Sequence, residues 1–257
     1  MVTINGSDSL QIRPETFSDS IVYQDEKTTR NRYSNTFFVS ETLKDTVEIP
    51  FITSPKLIKS LLEAELEKPV GLSTVFPSET SEVLYGTATD SIVRRMLYTS
   101  DNFLAEQLMM TTASTFSDTL NFRLIKKQLL ETHLNDLKQQ PRWVDGSGLS
   151  RYNLFTPASL VDVLSRLWAD IPKKRLFHLF PYWDADGTIP LQKEKEKTSF
   201  ILGKSGSMGN IYNLCGYLRT KSGRYLAFSF MNNHYKGPSS EIRKQMFETL
   251  KAIHNSN

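Results

Sequence analysis

The chemistry in this sequence gathers around Lys204. The run Ile201-Leu202-Gly203-Lys204-Ser205-Gly206-Ser207-Met208-Gly209-Asn210 ends an apolar stretch and sets an ammonium and two hydroxyls about a glycine. A strand of this kind can present a cation, hydroxyl donors and bare backbone to a carboxylate, and Gly206 keeps it open to a closely approaching ligand. Two other polar clusters could join it. Ser100-Asp101-Asn102 interrupts two helix-like runs, and Asp145-Gly146-Ser147-Gly148-Leu149-Ser150-Arg151 is turn chemistry throughout. Singly, each has a plain structural explanation: a helix cap, a tight turn, a polar strand. Gly203-Lys204-Ser205 also suggests a phosphate loop, but G-x-x-x-x-G-K-[ST] needs an earlier glycine where Thr198 stands. That motif also needs a loop opening a helix, and this segment reads as a strand. Nucleotide binding is rejected.

These groups can meet only if the elements between them fold back on one another. Residues 1–46 read as β-rich and irregular, with strands expected at Val2-Thr3-Ile4, Leu10-Gln11-Ile12 and Asn35 to Val39, followed by Val47-Glu48-Ile49. The segment looks too short and polar for a core of its own. Ser54 and Pro55 open a helix with Leu57, Ile58, Leu61, Leu62 and Leu66 at helical spacing. Val83-Leu84-Tyr85 leads to Asp90, which reads as the cap of a helix to Tyr98. A second helix starts after Ser100-Asp101-Asn102, and a third spans about Asp118 to Leu137. Thr156 caps and Pro157 opens another, with Leu160, Val161, Leu164, Leu167 and Trp168 as its apolar stripe. Asp184 to Thr188 is a turn, and Lys193 to Lys197 reads as a solvated connection. Strands follow at 199–205, 212–219 and 225–231, the last two joined by a glycine-bearing hairpin loop, and an amphipathic helix from Pro238 to Ile253 closes the chain. The order implies an α+β domain with an antiparallel sheet.

Composition narrows the function classes. With 257 residues, 39% hydrophobic and 23% charged, the chain suits a globular domain, or a domain and a smaller piece. Net charge is +3 and no basic run exceeds Lys173-Lys174-Arg175, so no nucleic-acid partner is indicated. No apolar run approaches the length of about 18 residues that a membrane-spanning helix needs. Met1 to Gly6 lacks the basic start and apolar stretch of a secretory leader. Cys215 is alone, so neither an internal disulfide nor a CxxC metal site is available. His133, His178, His234 and His254 show no ligand spacing and read as surface or incidental. Neither metal nor cofactor is expected.

The order of the clusters is more telling than any one of them. Ser-x-Asn between two helices, then Asp-Gly-Ser-Gly-Leu-Ser-Arg, then Lys-Ser-Gly-Ser on a strand before a hairpin and final helix resembles the penicillin-recognising serine enzymes. More narrowly, the chain is similar to D-alanyl-D-alanine carboxypeptidases/endopeptidases of the penicillin-binding protein 4 type. The residues that carry the resemblance are Ser100 to Leu108, Asp145 to Arg151 with Asn153 and Thr156-Pro157, Asp186-Gly187-Thr188, Lys204 to Gly209, Gly216-Tyr217 and Leu226 to Ser229; it runs from about residue 47 to 235. It implies a β-lactamase/transpeptidase-like α+β fold, an antiparallel sheet with helices on both faces. It also implies acyl transfer on the D-Ala-D-Ala end of a peptidoglycan stem peptide. Ser100 would relay a proton, Asn102 would bond the substrate backbone, and Lys204 would supply positive potential. Ser205 and Ser207 would hold the carboxylate, the Ser207 N–H would form half of an oxyanion hole, and Gly206 would keep the strand approachable. Arg151 and Met208 would line the pocket for the rest of the peptide.

One element of the family pattern is missing. No Ser-x-x-Lys occurs in the 257 residues. Thr53-Ser54-Pro55-Lys56 imitates it, but it opens a helix and reads as a decoy. In the family the nucleophile helix lies upstream of Ser-x-Asn, across an inserted β-rich region. The resemblance therefore implies that 1–46 is a remnant of that insertion and 47–257 the C-terminal portion of the transpeptidase-like domain, incomplete at its N-terminal side. Tyr225 to Met231 would then keep an open edge, to be covered by another chain, a missing N-terminal segment or residues 1–12. The expected function is that of a serine D-Ala-D-Ala carboxypeptidase/endopeptidase, periplasmic or extracytoplasmic, inactive alone for want of its nucleophile. The alternative is a non-catalytic module that binds peptidoglycan or a partner through the same groove. β-Lactams are expected ligands only if the nucleophile segment is restored.

Overall fold

The computed structural model describes residues 2–6, 11–75, 85–193 and 199–256. The chain divides into two compact units, 1–83 and 84–257.

The first unit holds β1 (Val2–Asn5), β2 (Gln11–Arg13), β3 (Ile21–Gln24), β4 (Thr29–Arg30), β5 (Phe37–Ser40) and β6 (Thr46–Ile49), then α1 (Pro55–Leu66). β1 lies between β2 and β6, antiparallel to both; β5 lies between β3, to which it is parallel, and β4. Alternate residues of β1 and β5 point inward, so Val2, Ile4, Phe37 and Val39 are buried together with Ile12 and Phe17. Each such side chain contributes ~1.5–3 kcal/mol. The segment therefore has its own small core, against the expectation from its polarity. A few inward positions are pooled from strands far apart in sequence, while composition averages over the outward ones. Leu57 of α1 packs on this cluster, which places α1 with the first unit, and the unit runs to residue 83 rather than 46.

In the second unit come α2 (Thr89–Thr99), α3 (Asn102–Ala113), α4 (Phe122–Thr132), α5 (Pro157–Asp170) and α6 (Lys173–Leu179). The β7 (Trp183–Asp184) and β8 (Gly187–Thr188) ribbon follows, then β9 (Ile201–Met208), β10 (Ile211–Arg219), β11 (Tyr225–Asn233) and α7 (Ser239–Ser256). The three long strands form an antiparallel sheet in the order β11-β10-β9. Its faces follow the two-residue period. Ile201, Tyr212, Leu214 and Leu218 pack with Met246 and Leu250 of α7, whereas Leu202 and Tyr217 pack with Leu164, Leu176 and Leu179 of α5 and α6. This is the α+β arrangement with helices on both faces.

Several local expectations need correction. β9 continues through Met208, because Gly209, at φ +53, and Asn210 form a two-residue turn that reverses the chain into β10. All of Lys204 to Met208 is thus strand. Asp90 is not a cap; Ala88 holds that position, and the Asp90 carboxylate accepts from Arg175 Nε and Nη2, each at 2.8 Å. α4 begins only after Asn121, whose side chain accepts from Arg123 N at 2.8 Å, and it ends at Thr132. α6 had no counterpart in the sequence reading, although it buries Leu176 and Leu179. Asp184 to Thr188 is the turn of the β7–β8 ribbon. Val83-Leu84 and most of Lys193 to Lys197 lie outside the described residues. Among the described residues no strand pairs with the outer edge of β11. β1 and β2, for their part, pair within the first unit's sheet.

Candidate active site

The junction of α2 and α3 makes the first wall. Ser100 ends α2 in the left-handed region, at φ 52 and ψ 47, and Asp101 N donates to the Met96 carbonyl at 3.2 Å. A non-glycine residue held there costs about 1–2 kcal/mol, which the two helices must offset. Asp101 caps α3 by accepting from Leu104 N at 2.9 Å. The capping explanation for Ser-Asp-Asn thus applies to the aspartate, and it leaves the flanking Ser100 and Asn102 side chains for other uses.

β9 makes the second wall. Lys204 lies on the same face as Leu202, toward the helices, and its Nζ donates to Ser100 Oγ and to the Ser205 carbonyl. Burial lowers the Lys204 pKa, an effect that Cys215, at the paired position on β10, opposes only once its thiol ionises. Burial pushes the Cys215 thiol up to about 11, so it stands as a neutral neighbour at physiological pH. Ser205 Oγ lies 3.2 Å from Thr188 Oγ1 of β8, and Ser205 borders the same cavity as Lys204. The glycines here differ in purpose. A Cβ at Gly203 would lie 2.8 Å from the Cys215 carbonyl oxygen, so packing demands a glycine. Nothing lies within 4 Å of a Cβ at Gly206. Any requirement for glycine at 206 must therefore come from a ligand.

The loop before α5 makes the third wall. Asp145 accepts from Gly148 N and Ser150 N, each at 2.7 Å, and from Asn153 Nδ2 at 2.9 Å. Asn153 Oδ1 in turn accepts from Val144 N at 2.8 Å, Trp143 Nε1 donates to the Asp145 carbonyl at 2.8 Å, and Lys126 Nζ donates to the Trp143 carbonyl at 3.0 Å. Gly148 takes φ +79 at the tip, where a side chain would be strained. The loop is thus a network of polar bonds rather than a loose connection.

Two adjoining cavities open between these walls. One, of about 630 Å³, is lined by Ser100, Asn102, Lys204, Ser205, Gly206, Ser207 and Met208. The other, of about 730 Å³, is lined by Arg151, Asn213, Asn233 and His234, again with Gly206 to Met208. Gly146, Ser147 and Gly148 belong to both. The eight residues singled out from sequence therefore border one continuous groove. Sequence reading missed Asn213, Asn233 and His234, because only the pairing of Ile211 with Asn233 brings the ends of β10 and β11 beside the loop. His234, read as incidental, lines the second cavity. A larger groove of about 790 Å³ in the first unit is mostly apolar and borders Thr53 but none of the eight. Among the described residues no His/Cys/Asp/Glu group could hold a metal ion, and no helix is long and apolar enough to cross a membrane.

Comparison with known proteins gives a consistent family. The model of the D-Ala-D-Ala carboxypeptidase 3 (S13) family matches residues 73–253. D-alanyl-D-alanine carboxypeptidase DacB of Haemophilus influenzae is 30% identical over 165 residues, covering 57% of this chain and 32% of that protein. The chain thus spans about a third of that curated relative's length. Two crystal structures of penicillin-binding protein 4 from H. influenzae, one complexed with a β-lactam, superpose with TM-scores of 0.63 and 0.65. Both are 18% identical; they cover 97% of this chain, which covers 68% and 65% of theirs. At that identity the likeness speaks for the penicillin-recognising fold.

Proposed function

This chain belongs to the D-Ala-D-Ala carboxypeptidase 3 (S13) family, and on that premise we propose that its groove binds the D-Ala-D-Ala end of a peptidoglycan stem peptide. The observation that carries the reading is the Lys204 ammonium, held against Ser100 Oγ at the wall of a cavity whose floor strand is open at Gly206. Such a cation has lost much of its hydration and regains a partner when a carboxylate arrives. The terminal carboxylate sits at Lys204 with the Ser205 and Ser207 hydroxyls. Asn102 bonds the peptide backbone, and the Ser207 N–H points at the scissile carbonyl. Arg151 and Met208 border the remainder of the peptide. Ser100, already bonded to Lys204, is placed to relay a proton to the departing D-alanine.

The covalent step needs a nucleophile that this sequence does not supply. No Ser-x-x-Lys is present, and in the nearest imitation Ser54 is engaged as the cap of α1, accepting from Leu57 N at 3.2 Å. The chain on its own therefore binds without being acylated. Incubation with a fluorescent penicillin should leave no covalent label on a denaturing gel, while calorimetry detects an N-acyl-D-Ala-D-Ala peptide. A stable label would return Thr53 to consideration, and a peptide that fails to bind would leave the groove without this role. The second reading, a peptidoglycan- or partner-binding module with no catalytic duty, draws on the same absence of a nucleophile. Peptide binding that needs Lys204 favours it over an inert chain. A polypeptide that supplies Ser-x-x-Lys, as a partner chain or a further segment, would bring the carboxypeptidase/endopeptidase step and β-lactam capture with it. A peptidoglycan substrate would require the protein outside the cytoplasmic membrane, an expectation that cell fractionation tests.

The reading carries a pH dependence. Only the ammonium form of Lys204 attracts the peptide carboxylate, and burial lowers its pKa in the free protein. Affinity should hold at neutral pH and fall as pH rises, beginning below the range of an ordinary lysine. A C-terminal amide of the same peptide should show no such fall. Equal pH profiles for the acid and the amide would count against Lys204 as the carboxylate's partner.

A further inference from the structure

We infer that Glu106 is a positioning residue for this groove: its carboxylate ties the crest of the Gly146–Gly148 loop to the helix that carries Asn102. Glu106 lies one helical turn after Asn102 on α3, so the two share a face. Its Oε2 accepts from Gly146 N at 3.2 Å and its Oε1 from Ser147 N at 2.9 Å, across 40 and 41 residues of sequence. Both oxygens of one carboxylate thus hold two successive backbone N–H groups, the charge-assisted form of the bond.

The seating is tight as well as polar. A Cβ at Gly146 would lie 2.8 Å from Met109 Cγ and 3.1 Å from the Ala105 carbonyl oxygen, so at this point the loop backbone rests directly on α3. Gly146 to Gly148 border both cavities, and a shift of this crest changes the width of the whole groove. The bonds of Asp145 and Asn153 set the internal shape of the loop. Glu106 sets its place against α3, and so the distance from Ser147 to the Ser100–Lys204 contact. The loop can keep its shape and still lose its place.

The statement about peptide affinity rests on the stem-peptide reading above; the statement about loop position does not. The test uses the full chain with Glu106→Gln, which keeps the shape but offers a single acceptor oxygen, and Glu106→Ala, which offers none. Amide hydrogen exchange at Gly146 and Ser147 should quicken in the order Glu, Gln, Ala, by about tenfold or more for Ala, while the α4 amides and the thermal midpoint hold. Affinity for the N-acyl-D-Ala-D-Ala peptide should fall in the same order, reaching about tenfold for Ala. Unchanged exchange at both amides in Glu106→Gln and Glu106→Ala would overturn the inference. So would wild-type affinity accompanied only by a lowered midpoint, the mark of a merely structural role. If Glu106→Ala does not fold, Glu106→Gln decides by the same two readouts. Should the wild-type chain bind no peptide, the stem-peptide reading fails, and the exchange rates alone decide whether Glu106 places the loop.

Discussion

Lys204→Met should weaken binding of an N-acyl-D-Ala-D-Ala peptide by about a hundredfold, or ~2.7 kcal/mol. Truncating one partner of a buried, hydrogen-bonded charge pair costs about 2–5 kcal/mol, since the other charge is left without a partner. The lower part of that range applies here. Lys204 is only partly shielded, and Ser205 with Ser207 can still donate to the carboxylate. Methionine keeps about the length of the side chain and removes the charge. The C-terminal amide of the peptide, which brings no charge, should lose far less than the acid. Titration calorimetry on both ligands separates the two terms. Wild-type affinity in Lys204→Met would remove the carboxylate from this position, and with it the central feature of the proposed site.

Gly216→Ala should destabilise the second unit by about 3 kcal/mol or more, beyond the usual effect of overpacking. A Cβ there would lie 2.0 Å from the Leu202 carbonyl oxygen and 2.5 Å from Gly203 Cα. Both are backbone atoms of the paired strand, and neither can turn aside as a flexible side chain would. Gly216 pairs with Gly203, so two glycines face each other across β9 and β10 immediately before Lys204. An alanine must splay the strands at that point and carry Lys204 with them. Chemical denaturation should show the lost stability, and thermal unfolding a midpoint lower by roughly 6–12 °C. A midpoint within about 1 °C of wild type would mean that the strands part more readily than their glycines suggest. Gly206→Ala is the control. It enters open space, so stability should hold while peptide affinity falls.

What could be read from the sequence depended on the reach of the interaction concerned. Ser54 and Thr156 were legible as caps because the bond closes within a single turn, to Leu57 N and Ser159 N. The stripe of α5 was legible for the same reason: periodicity is local. Asp90 misled because its carboxylate is claimed by Arg175, 85 residues later, where no local rule operates. The core of the first unit was overlooked since its members come from β1, β2 and β5 and meet only once those strands pair. The packing of α1 on that same core through half-buried Leu57 went unseen for the same reason.

The chemical groups themselves were determined by sequence alone: a Ser-x-Asn, a polar loop ending in Arg151, and a Lys-Ser-Gly-Ser strand, in an order that points to one family. Their meeting was decided by tertiary structure. Lys204 reaches Ser100 across 104 residues, and Glu106 reaches the Gly146–Ser147 backbone across 40. Side-chain identity states which bonds a residue can make. Which of them it does make follows from the sheet register and the helix junctions, and those are set by the packing of the whole unit.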